Sequence, residues 1–190
     1  MMHGSCVDHP KGVIVFAGVS GAGKSTLAAY FSRRGFPILS DDGLQIKLER
    51  GKITVIPTYP GLRLWDDSIA ELFDGAPSSE PMAHYSSKKR IESEKFPHSE
   101  ELPALSLFFI RPQVPGTPSF ITRIVKREAF FELNKQVFIL DPFSHEKAIA
   151  RTKFTAELVS RLPMFTLSIP HDYSMLDQVQ KTVLELVETI

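Results

Sequence analysis

The chain has 190 residues, 43% hydrophobic and 23% charged, a mix and length suited to a globular protein with a core of its own. Lys plus Arg number 22 and Asp plus Glu 22, and this neutrality argues against a protein that holds nucleic acid mainly through its phosphates. A single cysteine, Cys6, excludes an intrachain disulfide and points to a reducing compartment.

Residues 13–17 (VIVFA) are β-branched and aromatic and read as a buried strand. A glycine-rich turn follows, then a helix over Ser25–Arg34 with Leu27, Ala28 and Phe31 on one side. Gly35 stands at its C′ position, with Pro37 just beyond. Pro37–Ser40 is a second short strand ending in Asp41 and Asp42. Strand, loop, helix, strand is a βαβ unit and favours a parallel pair. Leu44–Leu48 and Lys52–Ile56 flank Glu49-Arg50-Gly51 as a hairpin. Tyr59–Trp65 then runs into a short helix over Asp66–Phe73 with an acidic first turn.

Residues 75–103 carry four prolines, many serines and charges and few apolar residues. They read as a long loop, with 76–103 a mobile segment of the one catalytic domain expected over 1–190. Leu105–Ile110 is a strand, and Arg111–Ser119, with three prolines, a loop. Ile121–Lys135 and His145–Arg161 have helical apolar spacing. Met164–Ile169 is a strand, and Leu176–Ile190 a closing amphipathic helix. The pattern is α/β with antiparallel pieces in the middle. The longest apolar run, Gly12–Gly18, is too short to span a bilayer, and the opening MMHGSCVDHPKG lacks the features of a signal peptide. The expectation is a cytoplasmic protein with neither membrane nor nucleic acid as partner.

Gly18-Val19-Ser20-Gly21-Ala22-Gly23-Lys24-Ser25 fits G-x-x-x-x-G-K-[ST], with a strand before it and a helix after. Glycines let the backbone curl until successive amide N–H groups face phosphate oxygens, and the new helix adds its positive end. Lys24 supplies a charge for the β- and γ-phosphates; Ser25, followed by Thr26, offers a hydroxyl to Mg²⁺. The motif points to ATP and Mg²⁺ but names no reaction. Asp42 lies 17 residues after Ser25. One carboxylate of the Asp41–Asp42 pair would serve the metal, and the other would accept the proton of an incoming hydroxyl. Val137–Asp141 (VFILD) is a rival acidic strand end; Asp141 would otherwise cap the helix that starts at Pro142.

These residues resemble the catalytic domain of HPr kinase/phosphorylase and its smaller serine-kinase relatives that lack the N-terminal domain. The likeness rests on His3-Gly4 fifteen residues before the phosphate loop, on the loop itself, and on Arg33, Arg34, Gly35, Asp41 and Asp42. It is good over residues 3–73 and looser beyond. It implies a P-loop domain of the HPr-kinase C-terminal, phosphoenolpyruvate-carboxykinase-like type, a mixed sheet with flanking helices. By position it makes Asp42 the base, Asp41 an aid at the metal beside Ser25, and His3 a neighbour of the catalytic centre. Where the family carries a glutamate in E-I-R-G-L-G, this chain has Thr58–Leu64 (TYPGLRL), with Asp66 and Asp67 just after as substitutes. The departure counts against phosphorylase activity and against HPr as substrate.

Arg63, in the Tyr-Pro-Gly turn, is a candidate for stabilising transition-state charge. Lys88-Lys89-Arg90 could close over ATP or grip an acidic peptide. Trp65 reads as core, the scattered histidines do not make a zinc site, and Cys6 reads as a small residue in the first strand. The reading is a kinase that moves a γ-phosphoryl group to a serine of a peptide or small protein, HPr-like or a biosynthetic precursor. A kinase of free serine, a nucleoside or a sugar, and a nucleotide-binding module without transfer, are the alternatives. Homo-oligomerisation stays open.

Overall fold

The computed structural model describes residues 1–58, 61–73, 79–83, 86–91, 101–139, 141 and 143–190; over 79–91 it describes backbone alone, apart from the side chain of Lys89. Eleven strands, five α-helices and one 3-10 turn, Tyr173–Met175, fall within these residues. The strands are β1 (Ser5–Val7), β2 (Val13–Ala17), β3 (Ile38–Ser40), β4 (Leu44–Glu49), β5 (Lys52–Pro57), β6 (Leu62–Leu64), β7 (Ser79–Ala83), β8 (Ser86–Ile91), β9 (Leu102–Gln113), β10 (Phe120–Arg123) and β11 (Met164–Pro170). The helices are α1 (Lys24–Arg33), α2 (Asp66–Leu72), α3 (Lys126–Gln136), α4 (His145–Arg161) and α5 (Leu176–Val187).

The main sheet runs β10-β11-β9-β2-β1-β3, with β5 joining β9 and β4 joining β5; β6-β8-β7 form a second, smaller sheet. β2 and β11 are both parallel to β9, while β1 is antiparallel to both β2 and β3. Strands β2, β3, β9 and β11 therefore all end at one edge of the sheet, and β1 begins there. In open α/β sheets that edge is where ligands are held.

The alternation along β2 shows how the sheet is covered. Ile14 and Phe16 face one cluster with Leu27 and Phe31 of α1 and Val179 and Val183 of α5. Val13, Val15 and Ala17 face the other, with Leu133 of α3 and Leu158 of α4. Every residue of β2 is buried, so the strand reads as a continuous apolar run. Each large side chain so buried contributes about 1.5–3 kcal/mol. This is a mixed α/β fold, a sheet with helices on both faces.

The hairpin, the closing strand and helix α4 lie where the sequence predicts them. Arg50 and Gly51, with φ of 50° and 78°, make the two-residue turn between β4 and β5. Other expectations are corrected. The βαβ reading makes the strands around α1 neighbours, but β1 lies between them, Cys6 pairing with Val15 on one side and Ser40 on the other. The helix expected over Ile121–Lys135 divides into β10 and α3. Phe120–Arg123 pair with β11 in antiparallel register, and Val125 is extended, so edge pairing overrides the local helical spacing.

Where composition predicts a long loop, Ser79–Ala83 and Ser86–Ile91 are strands, because β8 pairs with β6, a partner that composition cannot reveal. Residues 74–78, 84–85 and 92–100 of that segment lie outside the described residues. β9 also runs through Pro112 to Gln113; among the described residues only β11 pairs with it beyond Phe109, which leaves an open edge where proline fits.

Candidate active site

The phosphate loop leaves β2 at Gly18, whose φ is 150° and whose absent side chain would meet the carbonyl oxygen of Ile110 at 3.1 Å. It closes at Gly23, left-handed at φ 96°, which caps α1. Both conformations favour glycine. Lys24 is buried, and its ammonium donates to the carbonyl oxygens of Gly18 at 3.0 Å and Val19 at 2.9 Å. The cation is thus folded back across its own loop. Ser25, on the first turn of α1, donates its hydroxyl to Asp41 Oδ1 at 2.9 Å.

Asp41 is fully buried at the end of β3. Oδ1 also accepts the Ser5 hydroxyl at 2.5 Å, and Oδ2 accepts the backbone N–H of Arg63 at 2.9 Å. Burial pushes its carboxyl above the usual range, against the pull of the Ser5, Arg63 and Ser25 hydrogen bonds. Asp42, left-handed at φ 68°, turns the opposite way, into a cavity. Its Oδ2 is ion-paired with the Arg63 guanidinium. His3 Nδ1 lies 3.0 Å from the Asp42 carbonyl oxygen and 3.7 Å from Oδ1. The His3 ring stands edge-on to Phe138, 6.1 Å between centroids.

The cavity measures about 720 Å³ and is lined by residues 20–26, His3, Asp42, residues 63–68, residues 169–173 and Leu176. Four elements explain the convergence. β2 delivers the loop, β3 the aspartates, the approach to β1 delivers His3, and β6 delivers Arg63. The sequence-predicted residues Ser20, Gly21, Ala22, Gly23, Lys24, Ser25, Thr26, His3, Asp42 and Arg63 are thereby brought together. Asp41 lies beneath them rather than on the wall.

Trp65 is corrected: it is 45% exposed and lines the cavity instead of filling the core. Arg63 is no surface arginine; its side chain is half-buried against Asp42. Asp66 and Asp67 line the cavity, and Asp66 pairs with Lys89 at 2.9 Å, which ties one member of the basic run to the rim. The side chains of Lys88 and Arg90, and residue Tyr59, lie outside the described residues.

Asp141 is the rival that the fold removes. Val137 makes one isolated bridge to Met2 instead of starting a strand, and Asp141 lines a different cavity. Nor does Asp141 cap α4: Ser144 does, accepting the N–H of Lys147 at 3.3 Å, while Asp141 accepts from Phe143 N at 3.3 Å. The Cys6 thiol is buried in β1, which raises its pKa and leaves it a poor nucleophile.

Sequence reasoning missed Ser5, Ser68 and Tyr173. Ser68 Oγ lies 3.2 Å from Thr26 Oγ1 and 2.9 Å from Tyr173 Oη, a chain of hydroxyls joining α1, α2 and the turn after β11. Burial, first among its causes, raises the Tyr173 phenol. No local pattern marks these residues; only the fold brings them together. Among the described residues no helix is long and apolar enough to cross a membrane.

No protein-family model matches this chain, and no curated protein does. Among solved structures it is similar to the Hpr(Ser) kinase/phosphatase from Coxiella burnetii, with 11% sequence identity over 96% of this chain and 93% of that one, at a TM-score of 0.48.

Proposed function

We propose that this protein is an ATP- and Mg²⁺-dependent kinase that moves the γ-phosphoryl group onto a hydroxyl, a serine of a peptide or small protein. The observation that carries the reading is that the phosphate loop and the Asp42–Arg63–His3 cluster open into one cavity. A volume of about 720 Å³ is in the range of small-molecule sites.

The residues fit both groups. A loop with left-handed glycines and an inward lysine suits a polyphosphate. Ser25 offers a hard hydroxyl oxygen of the kind Mg²⁺ prefers, and the Asp41 carboxyl behind it, whose burial disfavours its charge, gains from a nearby cation. Ser25 would hold the ion directly, with Asp41 fixing that hydroxyl. When bound, Mg²⁺ neutralises charge on the β- and γ-phosphates.

Lys24 then faces the phosphates from the loop. Arg63, paired with Asp42, would find a second anion in the γ-phosphate and so free one carboxylate oxygen. Asp42 takes the proton of the acceptor hydroxyl. The acceptor oxygen bonds to the γ-phosphorus, the bridging bond to the β-phosphate breaks, and its electron pair leaves with ADP. His3 orients Asp42 through its backbone oxygen.

A second reading, a nucleotide-binding module without transfer, draws on one observation: the Arg63 guanidinium already occupies the proposed base. The test is transfer of labelled γ-phosphate to HPr, to serine peptides encoded beside this protein, and to free serine, with Lys24→Ala as control. Labelled peptide or protein, lost in the variant by at least about a hundredfold, is the expected result. Label on free serine alone moves the enzyme to small-molecule kinases. Binding of ATP with no label on any acceptor supports the module.

A further inference from the structure

A second cavity, about 470 Å³, lies on the other side of the N-terminal segment from the candidate active site. Met2, Ile46, Leu133, Phe154 and Leu158 give it apolar walls. Its polar lining includes Gln45 and Asp141 and, from one stripe of α4, Lys147, Arg151 and Thr155 at four-residue spacing.

These three groups differ in how they are satisfied. Lys147 is neutralised by Asp141 at 3.0 Å. Arg151 is half-buried and has no carboxylate partner among the described residues. Thr155 is fully buried, and among the described residues its hydroxyl has no hydrogen-bond partner, not even the helix carbonyl one turn back. A buried hydroxyl without a partner is unfavourable, and such groups call for an explanation. On the α4 stripe, one cation without a carboxylate partner and one unsatisfied hydroxyl beside apolar walls call for a ligand with a negative charge, hydrogen-bond acceptors and an apolar body.

We propose that this cavity binds a small amphipathic monocarboxylate, its head on Arg151 and Thr155 and its chain among Leu133, Phe154 and Leu158. A carboxylate meets the planar guanidinium with two acceptors and still has a lone pair for the threonine hydroxyl. A doubly charged phosphate head would leave one charge unmatched, because Asp141 already neutralises Lys147. The site is independent of the kinase reading. It adjoins the active site, though, because Phe138 lines this cavity and touches the ring of His3.

The test is calorimetric titration of the full chain with decanoate, 1-decanol and decylamine, each with and without saturating ATP·Mg²⁺. Decanoate binds one to one, decylamine does not, and ATP·Mg²⁺ does not displace it. Arg151→Gln weakens decanoate about tenfold, as expected for loss of a charged hydrogen bond. Thr155→Val weakens it about fivefold, while the melting temperature without decanoate holds or rises because the unsatisfied hydroxyl is gone. Decanol binding as tightly as decanoate, indifference to Arg151→Gln, or displacement by ATP·Mg²⁺ would each overturn the assignment.

Discussion

Asp41 and Asp42 are neighbours in sequence and opposites in environment. Asp41 is sealed under the phosphate loop with both oxygens occupied, while Asp42 adopts φ 68° and reaches into the cavity. Aspartate tolerates that left-handed conformation better than most residues. The sequence supports the pair because a phosphate loop calls for carboxylates nearby, but it cannot say which of the two is buried. Ser5, which holds Asp41 at 2.5 Å, is a lone serine with no pattern around it. The burial of Asp41 has a consequence for stability. Its carboxyl is raised in the folded state, so the folded chain binds that proton more tightly than the unfolded chain. The stability linked to this proton is fully present below the unfolded value of about 3.9 and is lost as pH rises through the raised folded value. Melting temperatures of wild type and Asp41→Asn, taken from pH 4 to 8 without Mg²⁺, test this. The wild-type value minus the variant value should shrink as pH rises; a flat or growing difference contradicts it.

At the scale of elements, the three residues of β1 do more than their length suggests. They separate β2 from β3, and their start carries His3 and Ser5 to the end of the sheet where the phosphate loop sits. Long periodic elements such as α4 and the β4–β5 hairpin are legible in the sequence because their own residues carry the pattern. β8 and β10 are not, because their partners, β6 and β11, are distant in the chain. Gly4, just before β1, has a purely steric reason to be glycine. A side chain there would meet the Phe16 carbonyl oxygen at 2.9 Å and Leu44 at 3.2 Å. The backbone oxygen cannot move without shifting β2. Gly4→Ala should cost about 1–3 kcal/mol in urea unfolding and reduce phosphoryl transfer, since His3 must move with it. Unchanged stability would show that the strand start is not held this tightly.

Across the whole molecule, a two-faced sheet brings four strand ends to one edge, and the phosphate loop, the aspartates and the turn after β11 meet there. That architecture follows from chain direction more than from any single residue, and the α/β class was legible from the order of strands and helices. What the sequence could not supply is the strand order, and with it the contact of Arg63 with Asp42. Those two residues are 21 apart, Arg63 in β6 of the smaller sheet and Asp42 just after β3 of the main one. The central claim is that one cavity binds the nucleotide and also supplies the base. Asp42→Asn separates these roles, because it keeps the side chain's shape and removes its ability to take a proton. The most direct measurement is the Kd for ATP·Mg²⁺ together with the single-turnover rate of transfer to the best acceptor, in wild type and Asp42→Asn. The account predicts a Kd within about threefold of wild type and a transfer rate lower by about 10²–10⁴. Transfer at the wild-type rate in Asp42→Asn would contradict it.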